Sequence, residues 1–454
     1  MTREIAAQEM RRLAGWAAGR PAIPDAILAR AVRVLADDLA AIVGARDEPE
    51  VRAFHGKVLG KRSAEESTVF AGGRRRTDRA SAAVANAVAA DWLELDEGYR
   101  VTPCHAGLYV IPALMAEAEA RNLAFGEMLR ALVLGYEVVT RVARAWKPRA
   151  LNMQSHGRYS AVGAAAAVAL ARGAGAETLL GALGTAVTLI GPSPRNHLAE
   201  GILSRNVWPA SGAWSGSMAV EWAECGIAGA PGAFFDTYST ILGGEFLPGM
   251  LAGSLGEHWA MQDGYTKIYA CCQHLHSAVE AAVGMREQLL RSAALEDIAS
   301  VKVETHALAL PLVNVEPATT LGAKFSMPHA VAAAFVTGTG GAEAFSAATL
   351  GEPRIAQLRR RVRVAPWTAD LTPPNDRPAR VTVELRSGAR VQAECLSAAG
   401  GPDRPLPSST VFDKVSALAA PVYPKMRQLL EALAGLPVAG MGRGWSDLVK
   451  EFCE

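Results

Sequence analysis

Cysteine is sparse in this chain: Cys104, Cys225, Cys271, Cys272, Cys395 and Cys453 are the six among 454 residues. So few thiols, so unevenly spaced, do not make a disulfide framework, and a reducing cytoplasm is the expected compartment. A surplus of one charge is missing too. The 46 Lys plus Arg are matched by 45 Asp plus Glu, leaving a formal +1 without long one-sign blocks. That balance excludes nucleic acid and a membrane surface as expected partners, because both are held by concentrated positive charge. Arg74-Arg75-Arg76 is too short to change this and reads as a solvated loop. Long uncharged apolar runs are also lacking. The Ala-rich stretch after Gly163 is cut by Arg172, short of the ~20 residues that span a bilayer. The N-terminal MTREIAAQEMRRLAGWAAGR interleaves charges with apolar residues, unlike a signal peptide.

What is present is a chain half hydrophobic and long enough for two to three domains. From the start to about Tyr265 the apolar spacing is helical. In the segment opened by Pro24-Asp25 and closed by Gly44, Leu28, Val32, Leu35, Leu39 and Ile42 form one stripe. Further helices are predicted over Ala80–Leu95, Val110–Ala120, Phe125–Ala145 and Gly163–Arg172. After about Ser300 the period changes to two. Val301–Thr305 reads as a strand, and Ala379–Arg386 with Ala389–Leu396 reads as a hairpin around Ser387-Gly388. Helical patterning returns near the end. The fold class expected is mainly α with an α+β domain: a large all-helical domain (1–265), a smaller α/β lid (266–408), and C-terminal helices (409–454) returning to the helical body.

Several ordered segments then bear on function. Asn86 is followed by the acidic cluster Asp91-Trp-Leu-Glu94-Leu-Asp96-Glu97 and by His105. Next come Leu134-Gly-Tyr-Glu-Val-Val-Thr-Arg141, Lys267-Ile-Tyr-Ala-Cys-Cys272-Gln-His-Leu-His276 and Ala323-Lys-Phe-Ser-Met-Pro328. Together, over about residues 80–330, they resemble the MmgE/PrpD family, which includes 2-methylcitrate dehydratases, cis-aconitate decarboxylases and iminodisuccinate epimerases. The resemblance implies a homodimer with a cofactor-free, metal-free site between a helical domain and a lid, acting on a small polycarboxylate. By position it marks His105, Lys267, Asp96 and His156 as candidate catalytic residues, and Arg205, Cys272 and His276 as candidate substrate-binding residues.

These residue types suit the chemistry. Removal of water or carbon dioxide from a citrate-like acid leaves negative charge on an enediolate or carbanion, which Lys267 can meet as a point charge and Arg205 as a bidentate fork. His105 has the intrinsic pKa for moving a proton at carbon, and Asp96 can orient it. Departures from the family pattern point to altered specificity. Asp91 stands where many relatives have His, Arg205 aligns with a family Lys, and counting back from Gly163 puts Gln154 at a family His position, with His156 two residues later. Dehydration is the leading expectation; decarboxylation or epimerisation through the same kind of intermediate, and a non-catalytic binding homologue, stay open. Cys271, Cys272, His274 and His276 invite a zinc reading, but their spacing is poor for a tetrahedral site. Asp91, Glu94 and Asp96 are expected along one helix, with at least one on its solvated face or in a salt bridge.

Overall fold

The structure, a computed structural model, describes residues 1–437 and 440–454. Its helical body is centred on Ala106–Ala120, Phe125–Ala145, Ser155–Ala171 and Trp208–Glu224, which pack on one another. Small residues set how closely they approach. A Cβ added at Gly212 would fall 2.2 Å from Ser160 Cβ, and one at Gly216 would fall 2.4 Å from the Ala161 carbonyl oxygen. The helix 208–224 therefore runs almost backbone against backbone along 155–171. Asp25–Gly44, with Leu28, Val32, Leu35, Leu39 and Ile42 buried as the spacing predicts, lies across this group.

The second part is built on a four-stranded sheet in the order Arg390–Cys395, Ala379–Leu385, Ile298–Thr305, Val362–Pro366. The hairpin pairs antiparallel, Arg390 opposite Glu384, and the fourth strand adds parallel, Val362 opposite Val301. Along Ala379–Leu385 the residues alternate buried and half-buried, so one face is packed and the other solvated. Helices His276–Ser292 and Met327–Thr337 cover the packed face. The strand 362–366 is the element that alternation does not announce. It is a short edge strand with only Val362 fully buried.

The chain then returns. Ser408–Ala419 and Met426–Ala434 pack on 25–44, and Trp445–Phe452 on 106–120. No helix among the described residues is long and apolar enough to cross a membrane.

One expected boundary is corrected. The helix predicted over Ala80–Leu95 is observed as Arg79–Ala90, and residues 91–97 form a turn in which Glu94 takes a left-handed φ of 53°. That conformation costs a non-glycine residue roughly 1–2 kcal/mol. On a continued helix Asp96 would point away from the face shared by Asp91 and Glu94; in the turn all three carboxylates converge, and all three are buried. None lies on a solvated face, and each has a basic partner.

Candidate active site

A cavity of about 600 Å³ opens between the helical body and the sheet-bearing part, within the range usual for small-molecule sites. Its wall includes Glu94, His105, Gln154, Arg205, Lys267 and Cys272. Two short ladders bring these segments together. Gly98-Tyr99 pairs with Gly264-Tyr265, holding the segment that leads to Lys267 against the acidic turn. Met153 bridges Pro194 where the loop before helix 155–171 meets the loop before Arg205.

His105 occupies the N-cap position of helix 106–120. Its Nδ1 lies 2.7 Å from Asp96 Oδ2 and 3.0 Å from the Glu97 carbonyl oxygen. Two acceptors fix the proton on Nδ1, so the other ring nitrogen, Nε2, carries the free lone pair. Burial opposes ionisation of Asp96, but the Lys267 ammonium and the His105 imidazole outweigh it and hold the carboxyl well below the ordinary carboxylate range. Lys267 Nζ donates to Asp96 Oδ1 at 3.1 Å and to Glu94 Oε2 at 3.4 Å. Burial disfavours its charge, yet Asp96 and Glu94 prevail and push its pKa up, keeping an ammonium on the wall.

Arg205 bonds both Asp91 and Glu94. Burial raises the Asp91 carboxyl to about 6, against the pull of Arg205. Lys324 Nζ donates 2.7 Å to the Trp92 carbonyl oxygen in the same turn. Three buried carboxylates are thus met by two cations, Arg205 and Lys267, while Lys324 holds the backbone of the turn. The oxygens of Asp91, Glu94 and Asp96 lie within 4.8 Å of one another, the only such ligand group of three or more among the described residues. A divalent ion there would have to displace Arg205 and Lys267 from carboxylates they already neutralise, so the donor set does not fit a resident metal.

Of the expected site residues, His105, Lys267, Arg205 and Cys272 line the cavity, and Asp96 supports the first two from behind. His156 is buried behind His105, ring centroids 5.0 Å apart, with Tyr109 OH 3.0 Å from its Nδ1. Burial, Arg205 and His105 push its pKa well down, so it faces Asp91 as a neutral imidazole. Gln154, not His156, lies on the wall, and its side chain caps helix 155–171 by accepting from the His156 backbone N–H. His276 is off the wall: its Nε2 is 3.1 Å from the Cys271 carbonyl oxygen, its ring packs on Tyr269, and burial takes its pKa down to about 3. The Cys272 thiol is raised to about 11 by burial, so it contributes as a thiol and not as a thiolate.

Sequence reasoning missed Arg158 and Arg195, which also face the cavity. The signal for Arg158 was available. It is the one Asp, Glu, Lys or Arg in the whole run Ser155–Ala171, a helix buried on nearly every side.

Glu97 sits beneath His105 with its carboxylate accepting from Tyr136 OH and the Gly107 backbone N–H, while its own N–H donates 2.6 Å to Asp38. Burial raises its pKa from 4.5 to about 7. A carboxyl raised on folding is favoured in its protonated form, so the stability it contributes is present below pH 4.5 and lost as the pH climbs through about 7. Urea unfolding measured across this window should show falling stability for the wild type and a flatter profile for Glu97→Gln.

The fold and site define an enzyme-type cavity between a helical body and an α/β cover. The chain matches the MmgE/PrpD N-terminal domain over residues 11–242 and the MmgE/PrpD C-terminal domain over residues 269–435. It belongs to the MmgE/PrpD family. It is also similar to a cis-aconitate decarboxylase-like protein, oryM, of Aspergillus oryzae, with 24% identity over 434 residues covering 89% of each chain.

Proposed function

We propose that this protein is a lyase that removes water or carbon dioxide from a small polycarboxylate, with His105 moving the proton at carbon. The observation that carries this reading is the Asp96–His105 pair on the cavity wall, in which the acceptors at Nδ1 leave Nε2 as the nitrogen free to exchange a proton. For dehydration, Nε2 takes the proton beside a carboxylate, the electron pair forms the double bond, and the hydroxyl leaves as water with the proton that Nε2 then gives up, which returns the ring to its starting form. For decarboxylation, His105 enters the cycle with a second proton, taken from solvent, on Nε2; the carbon–carboxylate bond breaks, carbon dioxide departs, and the carbanion takes that Nε2 proton. In both, Lys267 stands as the ammonium that meets developing negative charge. Similarity to the cis-aconitate decarboxylase-like protein favours the second outcome; family membership supports either.

Purified protein treated with a chelator and incubated in deuterated water with citrate, 2-methylcitrate, cis-aconitate and iminodisuccinate stereoisomers should transform at least one, followed by NMR. Loss of water, loss of carbon dioxide and deuterium exchange alone give separate spectra, the last marking an epimerase. Inactivity on every acid, with no rise in melting temperature, defeats the polycarboxylate reading. Inhibition by the chelator defeats the metal-free scheme.

A further inference from the structure

The polar inner wall has no cation to spare. Lys267 serves Asp96 and Glu94, and Arg205 serves Asp91 and Glu94. A substrate with two or three carboxylates must find its counter-charge elsewhere in the cavity. Arg158 and Arg195 both line it, and among the described residues neither is paired with a carboxylate. Arg158 is 7% exposed, and its Nε has no hydrogen-bond partner. A guanidinium buried to that degree is held at a cost of desolvation that an unpaired position does not recover.

The backbone brings the two arginines to one wall. Arg158 lies one helical turn after Gln154, the N-cap of helix 155–171, so both project to the same side. Arg195 is on the loop stitched to that helix start. Its backbone N–H donates 2.9 Å to the Asn152 carbonyl oxygen, and the Gln154 N–H donates 2.8 Å to the Ser193 carbonyl oxygen. The neighbouring His274 reports the local field. Burial first, then the charges of Arg377, His306, Arg195 and Arg100, push its pKa well down, so it adds no further charge. Arg377 is itself engaged by Gln273 and by the Arg100 carbonyl oxygen, and Asp376 is beside it.

We infer that Arg158 and Arg195 form an anion subsite that binds the carboxylates of the substrate remote from the carbon at which His105 acts. This deepens the lyase reading and rests on it for the identity of the reacting carbon. The subsite itself requires only a polycarboxylate. Affinity is set there, and the inner wall acts on the carbon so presented. Two forks without a carboxylate partner select for acids with at least two carboxylates and against monocarboxylates.

The test uses tricarballylate, a saturated tricarboxylate without a hydroxyl to eliminate, titrated into the full-length protein by calorimetry, beside glutarate and butyrate. Wild type should bind in the order tricarballylate, glutarate, butyrate. Arg158→Gln and Arg195→Gln should each raise the Kd for tricarballylate about 10- to 100-fold, from loss of a charge-assisted hydrogen bond. On whichever acid is turned over, KM should rise by the same factor with kcat within about threefold. Arg158→Lys, which keeps the charge, should recover part of the affinity. If Arg158→Gln does not fold, Arg195→Gln on the half-buried loop carries the test. Kd and KM within twofold of wild type in Arg195→Gln overturn the subsite, even if turnover proves the lyase reading correct. Arginine-dependent tricarballylate binding with no turnover of any acid sustains the subsite and overturns the lyase reading. No binding of any of these acids by the wild type overturns both.

Discussion

Replacing His105 with Ala is expected to lower kcat by about 10²–10⁴-fold, the usual contribution of a positioned acid or base, while the melting temperature moves only slightly. The rate effect follows from position. His105 is on the cavity wall with its Nδ1 held by Asp96 and the Glu97 carbonyl, and the nearest other imidazole, His156, lies behind it and off the wall. No neighbour can take over the proton. The small stability effect follows from what remains: Asp96 keeps its ion pair with Lys267 after the imidazole is gone. Steady-state kinetics and deuterium incorporation at the substrate carbon check this together, since loss of proton transfer removes both. A His105→Ala protein that keeps kcat within tenfold and still exchanges the carbon-bound proton would remove His105 from its role.

Arg205→Ala carries the largest expected cost in stability. Its guanidinium is buried and joins Asp91 to Glu94, so truncation leaves the buried Asp91 without a cation and Glu94 with only its longer contact to Lys267. Breaking a buried ion pair by deleting one partner costs about 3–5 kcal/mol. Urea unfolding should show a loss of that order, and Arg205→Lys, which cannot fork to both acids, should recover only part of it. A loss below about 1 kcal/mol would mean that the acidic turn relaxes or takes up protons instead. The contrast with Arg158 is the informative one: removing Arg205 should act first on folding, and removing Arg158 first on affinity. Arg205, expected from the sequence to clamp substrate, lines the cavity with both of its arms bound within the protein.

Much of the fold was legible because one-sided apolar spacing marks a helix wherever one face is buried, as in Asp25–Gly44, and alternation marks a strand wherever one face is wet, as in Ala379–Leu385. What failed was local. The end of the helix at Ala90 could not be read, since Asp91-Trp-Leu-Glu94 continues a helical spacing and the left-handed Glu94 is imposed by tertiary ion pairs with Arg205 and Lys267. At the site, ordered motifs led to His105 and Lys267 because they recur as a set, whereas Arg158 and Arg195 belong to no motif. Their significance lies in what they are not paired with, a property of three dimensions. His276 shows the reverse case: its place in a motif marked it for the site, but the start of helix 276–292 turns its ring onto Tyr269.

Lys414 gives the C-terminal return of the chain a further meaning. From the helix 408–419 its ammonium reaches Asp37 Oδ1 at 2.7 Å, the Leu95 carbonyl oxygen, and the Lys267 carbonyl oxygen at 3.1 Å. One cation therefore ties a helix from the beginning of the chain, the acidic turn and the Lys267 segment. Every residue on the cavity wall precedes position 378, yet a further tie between the acidic turn and the Lys267 segment comes from residue 414. Synthesis from the N-terminus therefore delivers every side chain of the wall before the lysine that ties helix 25–44 to the acidic turn and the Lys267 segment.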